Sequence, residues 1–172
     1  MDIVETRTEH LEKLKTWFPD IPSVRQWGGP LFRHPFTHAS FLEDVRWREV
    51  PTYSLLDEEG ELLGFGQYYE REGRCHLARL VIGPAQRGRG LGRYFIRGLM
   101  QIGMANLDTD ECSLFVMNAN AGAVRCYTSL GFVLTPYPTD DPLYDNIDFM
   151  LYTHKPARAA SPDEPGSASR PK

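Results

Sequence analysis

Between Leu77 and Asn106 the chain changes character twice, and that change narrows the folds open to it. Leu77 to Ile82 reads as apolar on both faces, as a strand in the middle of a covered sheet has to be. Pro84 cannot donate to a sheet ladder and helps to end the strand. Arg87-Gly88-Arg89-Gly90-Leu91-Gly92 follows. From Gly92 to about Asn106, Phe95, Leu99 and Ile102 recur at i, i+4 and i+7, the stripe of an amphipathic helix. A buried strand handed straight to a helix calls for an α/β arrangement with more strands beside it and helices over it.

The rest of the chain supplies them. Ile3 to Arg7 reads as a first strand, with Thr8 as N-cap of a helix carrying Leu11, Leu14 and Phe18. Pro19 to Pro35 is turn-rich, and Thr37 offers a cap for a short helix with Phe41, Leu42 and Val45 on one side. Thr52–Leu56 and Leu63–Tyr69 are strands joined by Asp57-Glu58-Glu59-Gly60, a hairpin signal. Arg74–Ile82 is the next strand, Ser113–Met117 another, Ala121–Leu130 a helix and Phe132–Leu134 a short strand. Ile147–Thr153 closes the sheet. Strands arrive first as a meander and then alternate with helices, so the sheet is expected to be mixed. Residues 155–172 are poor in large apolar groups and are expected to be a disordered tail, leaving one domain over residues 1–154.

Composition sets the setting. The net charge of −4 argues against general nucleic-acid affinity and suits a cationic partner. Cys75, Cys112 and Cys126 are odd in number and show no C-x-x-C pair, so they carry no zinc signal and fit a reducing compartment. No metal is expected. The first residues lack a basic segment followed by an apolar stretch, and no run is long and apolar enough to span a bilayer. A cytoplasmic protein without a membrane partner is the expectation.

Three glycines in five residues let the backbone turn sharply and bring its N–H groups close to an anion. At a helix start those groups add to the positive end of the helix dipole. Arg89, Arg93 and Arg97 follow at intervals of four, suited to phosphate. A P-loop needs Gly-Lys-Ser/Thr, which is missing. A dinucleotide fingerprint counted from Gly88 needs a glycine where Arg93 stands. The alternative is a glycine turn with a solvated arginine face.

A second motif runs from Asn120-Ala121-Gly122-Ala123-Val124-Arg125-Cys126-Tyr127 to Leu130-Gly131-Phe132. Asn120, Ala123 and Tyr127 share one helix face, with Asn120 at the N-cap and Gly131 just past the end. Taken alone, Tyr127 reads equally well as a half-buried core phenol.

Together, Leu80-Val81-Ile82-Gly83-Pro84, Arg87 to Gly92 and Asn120 through Tyr127 to Gly131-Phe132 resemble the GNAT superfamily of acyl-CoA-dependent N-acetyltransferases. The resemblance implies a splayed mixed sheet of six to seven strands flanked by about four helices. Acetyl-CoA would lie where the strand Leu77–Ile82 parts from the strand Ser113–Met117. It further implies that the backbone of Leu80, Val81 and Ile82 pairs with the pantetheine arm. Gly88, Arg89, Gly90, Leu91 and Gly92, with Arg87 and Arg93 nearby, would hold the pyrophosphate, and Asn120 would contact the pantetheine. Many members are dimers, so a homodimer is open.

Acetylation of an amine needs a deprotonated nitrogen, a donor for the carbonyl oxygen and a partner for the departing thiolate. A backbone N–H near Ile82, where the strand is expected to splay, is the candidate oxyanion donor. Tyr127 is the candidate general acid. Family members often carry a glutamate near the start of the motif strand; here that position is His76. An imidazole suits proton relay near neutrality, but His76 shares a predicted strand face with Ala78, Leu80 and Ile82, so it reads equally as a structural histidine. Glu70, Glu72 or a water chain stand in reserve.

For the acceptor, the loop Tyr137-Pro138-Thr139-Asp140-Asp141-Pro142-Leu143-Tyr144-Asp145 offers three aspartates and two tyrosines for a cationic amine, or is simply a solvated acidic loop. Tyr137-Pro138-Thr139 is similar to the branch that acetylates ribosomal-protein N-termini, but that branch has a glutamate where this chain has Phe115. Two rival readings are an acyl-CoA sensor without turnover and an arginine-helix protein that docks on RNA; Tyr127 counts against the first, overall acidity against the second.

Overall fold

Seven strands form one sheet in the order β1-β2-β3-β4-β5-β7-β6. They are β1 (Asp2–Glu5), β2 (Thr52–Leu56), β3 (Leu62–Arg71), β4 (Arg74–Ile82), β5 (Glu111–Met117), β6 (Val133–Thr135) and β7 (Ile147–Thr153). The computed structural model describes residues 1–137, 139 and 141–154. The tail expected to be disordered, from residue 155, lies outside those residues. Every neighbouring pair is antiparallel except β4 and β5, which run parallel with α4 (Leu91–Leu107) as their crossover. None of the described helices is long and apolar enough to cross a membrane.

Five α-helices flank the sheet, one more than the sequence reading supplies. α1 (Thr8–Lys15) begins one residue earlier than expected: Arg7 is its N-cap, and the Arg7 N–H donates to Nδ1 of His10 at 3.2 Å. α2 (Ile21–Gly28) is the helix missed inside the turn-rich stretch. Its start is written in Asp20-Ile21-Pro22-Ser23, where the Ser23 N–H donates to Asp20 Oδ1 at 2.8 Å and Pro22 occupies a position that needs no N–H. Thr37 caps α3 (His38–Val45), accepting from the Ser40 N–H at 3.1 Å. α4 and α5 (Ala121–Ser129) follow the two motifs.

The two sheet faces bury separate cores. α1, α2 and α3 cover one face with Leu11, Leu14, Val24, Phe41 and Val45 against Leu62 and Phe65. α4 and α5 cover the other with Phe95, Leu99 and Tyr127 against Leu77, Leu114 and Met150. Close approach of α4 depends on Gly66 in β3. A Cβ there would lie 2.8 Å from Leu80, 2.9 Å from Leu99 and 3.1 Å from Phe95. Gly66→Val should therefore lower stability by about 1–3 kcal/mol through overpacking, read as an earlier midpoint in urea unfolding.

Candidate active site

β4 and β5 stay paired over only three positions, Cys75 with Cys112, His76 with Ser113 and Leu77 with Leu114. Beyond them β4 runs on to Ile82 and β5 to Met117 with no ladder between them. The cause is a bulge. Gln67 pairs with Ala78 and Phe65 with Val81, so Arg79 and Leu80 both stand opposite Gly66. Arg79 takes a left-handed backbone, φ 48°, and such an insertion bends and over-twists the strand that holds it. The strands part at Ala78, four residues before the point the sequence reading chose. The bulge also reverses the side-chain alternation: Leu80 and Ile82 pack against the α4 core, while Val81 turns to the α1–α3 side. His76 lies on that same α1–α3 side, between Tyr69 and Phe115 (ring centroids 5.2 and 5.1 Å), so it does not share a face with Leu80 and Ile82.

At the open end of the parting the glycine loop enters α4. Gly88 and Gly90 both have φ 78°, and a Cβ on either would meet nothing within 4 Å. No N–H from Gly88 to Arg93 donates to a described group. The loop is thus a row of free donors around an open concavity, backed by the positive end of a 17-residue helix. Arg87 folds back, its Nε donating to the Ile82 carbonyl at 3.3 Å, and Arg89 bonds Gln86 before the helix begins. Of the three arginines read as one helix face, only Arg93 and Arg97 are on the helix.

α5 starts from Asn120, whose Oδ1 accepts the Ala123 N–H at 3.2 Å. Capping uses the amide oxygen, and among the described residues the side-chain NH2 has no partner. Tyr127, 8% exposed, sits two turns on in the same apolar cluster as Leu80, Ile82, Leu91 and Val116. None of the side-chain hydrogen bonds of the described residues involves its hydroxyl. Burial, and secondarily Cys126, pushes its pKa up, so the phenol stays protonated at neutral pH.

His76 is 2% exposed, and its Nδ1 lies 2.9 Å from Ser113 Oγ. Burial, and secondarily the charge of Arg71, lowers its pKa from 6.5 to about 3. Such an imidazole is neutral throughout the working range and a poor proton acceptor. The folded state resists protonation that the unfolded chain accepts, so this contribution is complete above pH 6.5 and is lost as pH falls from there toward 3. His76→Gln should flatten the acid limb of stability by up to about 1.4 kcal/mol per pH unit, measured by urea unfolding across that interval.

The α1–α3 side carries two arginines that the sequence reading passed over, Arg71 and Arg79. Trp27 of α2 donates from Nε1 to the Arg79 carbonyl at 2.7 Å and stacks on Phe18, centroids 4.3 Å apart, pinning the bulge. Arg79 donates to Gln67 Oε1 at 2.8 Å and to the Asp44 carbonyl at 3.0 Å. Arg71 donates to the Tyr137 hydroxyl at 2.7 Å and lies 4.9 Å over the Phe115 ring. The Tyr137 hydroxyl in turn donates to Glu72 at 3.0 Å. Tyr137, which sequence reasoning offered to a cationic acceptor, thus already holds a cation of the protein's own, and Tyr144 packs on it, centroids 5.5 Å apart. Asp141 accepts the Leu143 N–H at 2.9 Å, a structural turn; Asp140 lies outside the described residues. One signal for Arg79 was present: a charged residue interrupts the apolar strand Leu77–Ile82.

The family model of the acetyltransferase (GNAT) family matches residues 21–132, more than half of the chain. The chain belongs to the GNAT family. The mycothiol acetyltransferase of Amycolatopsis mediterranei (strain U-32) is 33% identical over 62% of this chain and 40% of its own length. The chain therefore spans well under half of that relative. The aminoglycoside N(6')-acetyltransferase type 1 of Klebsiella pneumoniae is 27% identical over 73% of this chain and 70% of its own. In fold, the spermidine N-acetyltransferase of Vibrio cholerae, solved with CoA and spermine, superposes with a TM-score of 0.69 over 88% of this chain and 94% of its own, at 16% identity.

Within this GNAT fold the residues expected around acetyl-CoA come together. Leu80, Val81 and Ile82 line the parting, a Cβ on Gly92 would lie 3.8 Å from Ile82 and 3.7 Å from Cys126 of α5, and Tyr127 closes the α5 side. His76 sits apart, below the parting and on the opposite face. A cleft of about 510 Å3 between α4 and the end of β7 touches none of these residues.

Proposed function

We propose that this protein transfers an acetyl group from acetyl-CoA to a primary amine by direct attack in a ternary complex. The observation that carries the reading is the unpaired edge of β4 from Arg79 to Ile82, ending at a loop of free N–H donors. An extended pantetheine arm fits the first as a pseudo-strand, and a diphosphate fits the second. The open space at Gly88 and Gly90 leaves room for it. The names of two relatives specify transfer to nitrogen, on an aminoglycoside and on spermidine. The three cysteines are free thiols, which suits work in the cytoplasm.

In this reading the amine nitrogen attacks the thioester carbonyl, and charge builds on its oxygen beside the backbone N–H groups at the bulge. The C–S bond then breaks. Tyr127 points its hydroxyl at the departing sulfur. A phenol with a raised pKa gives up its proton less readily than an ordinary thiol, so it stabilises the thiolate chiefly by hydrogen bonding. The proton released by the amine reaches the sulfur through water. The two reserve carboxylates are already engaged within the protein: Glu70 accepts the Gly73 N–H at 2.6 Å, and Glu72 accepts the Tyr137 hydroxyl at 3.0 Å and pairs with Arg74 at 3.4 Å. His76 serves packing instead of proton transfer. kcat/KM is therefore expected to rise with pH along the ionisation of the acceptor amine, with no limb from an enzyme histidine, and His76→Gln should keep that profile.

Release of free CoA thiol from acetyl-CoA over a panel of amines tests the reading. Amine-dependent release supports it. Tight CoA binding without release on any amine would return the protein to the acyl-CoA sensor class.

A further inference from the structure

Among the described residues, two guanidinium groups on the α1–α3 side of the sheet have no carboxylate partner of the kind that partly buried arginines ordinarily find. Arg79 spends two of its five N–H donors on neutral oxygens, those of Gln67 and the Asp44 backbone, and Arg71 spends one on the Tyr137 hydroxyl. The Nε of each is enclosed and has no partner. Among the described residues no ion pair includes either of them, although Arg33, Arg46 and Arg74 each pair with a carboxylate at 2.8 Å. The shortage is local: the chain has 23 acidic residues to 19 basic ones. The nearest carboxylates are committed elsewhere, Asp44 to Arg33 and Glu72 to Tyr137. His76, between Tyr69 and Phe115 on the same face, adds no negative charge.

These groups line an open floor. Tyr69, Arg71, Ala78 and Arg79 all keep part of their surface accessible, unlike their buried neighbours Gln67 and His76. Arg79 is itself the bulge residue at which β4 leaves β5, so its backbone stands at the mouth of the parting, while its side chain reaches over β3 to Gln67 and Asp44. A desolvated cation without a partner is costly, and the planar fork of arginine matches a carboxylate with two parallel N–H bonds.

We propose that the acceptor is an amine that also bears a carboxylate, of the α-amino-acid or short-peptide type, with the carboxylate seated against Arg79 and Arg71 and the amine turned toward the thioester. This rests on the acetyl-CoA reading above and replaces the cationic acceptor suggested by net charge and by the acidic loop. The acidic loop that suggested a cation turns its tyrosines onto Arg71, and Arg71 occupies the place a cationic substrate would take.

The test is thiol release from acetyl-CoA with the L-amino acids, each set beside its own carboxamide, together with spermidine and kanamycin as cationic acceptors and ethanolamine phosphate as a second anionic one. At least one carboxylate form should exceed its carboxamide in kcat/KM by roughly 10- to 100-fold, the range of a charge-assisted hydrogen bond. Arg71→Gln and Arg79→Lys should each shrink that ratio, the second because a lysine keeps the charge and loses the fork. The ratio compares two substrates on one preparation, so a loss of folded protein does not imitate the effect. The assignment is overturned if carboxamides or the cationic amines are the better acceptors, if ethanolamine phosphate outruns every carboxylate, if both variants keep the ratio, or if no carboxylate-bearing amine is acetylated while CoA still binds. Failure of the acetyl-CoA reading itself looks different: no CoA binding and no thiol release with any amine.

Discussion

Tyr127→Phe is expected to lower kcat by about 100- to 1000-fold, the usual range for loss of a positioned hydrogen-bond donor to developing negative charge, while the KM for acetyl-CoA moves less than about twofold. The structure separates these effects. The ring belongs to the α4–α5 core and packs on Phe132, centroids 6.0 Å apart, and phenylalanine keeps all of that. The hydroxyl is absent from the internal hydrogen bonds of the described residues, so its removal leaves no buried partner unsatisfied and the melting temperature should hold. A buried phenol without an internal role in stability is a group kept for something that arrives. Steady-state kinetics with acetyl-CoA varied, beside a thermal melt, reads both halves. If turnover is unchanged, the hydroxyl has no part in the chemistry and the sulfur is stabilised by other means.

Gly90→Val should do the reverse, weakening acetyl-CoA binding by at least about 100-fold with a smaller change in kcat once the site is saturated. A β-branched residue at φ 78° is strained by about 1–3 kcal/mol, and the exposed loop relieves that strain by moving. Movement scatters the N–H groups from Gly88 to Arg93, whose value lies in converging on one anion. A Cβ at this position meets nothing within 4 Å in the protein, so the fold should survive and the defect should fall on ligand affinity. Calorimetric titration with CoA checks it. An affinity within a few-fold of the parent would show that the diphosphate is held elsewhere, with Arg93 the next group to examine. Tyr127 and Gly90 thus separate chemistry from cofactor grip.

The sequence displayed most of the frame because its punctuation is local. β4 and β7 begin and end where alternation and turn residues put them, and Thr37 caps α3 by its own hydroxyl. α2 was hidden because Pro22 and the Trp27-Gly28-Gly29-Pro30 run look like turn chemistry, although Asp20 and Ser23 form a capping box. The parting was placed too late for a different reason. Arg79 in a left-handed backbone carries no compositional mark, yet it shifts β4 by one residue and sends every side chain after it to the other face. That single insertion undid the grouping of His76 with Leu80 and Ile82. The role of His76 depended on what surrounds it, and only the packed structure shows Tyr69, Phe115 and Ser113 closing over the ring. Arg71 and Arg79 were passed over because charged residues on strands usually face water; only the fold shows that, among the described residues, neither pairs with a carboxylate.

Amide hydrogen exchange with and without coenzyme A tests the account most directly, since it reads the two backbone segments on which everything depends. Added CoA should slow exchange at Leu80 to Ile82 and at Gly88 to Arg93, and leave β1 and β2 as they were. Slowing confined to the cleft between α4 and β7, or no slowing at all, would mean that the gap between β4 and β5 is not where the nucleotide thioester lies.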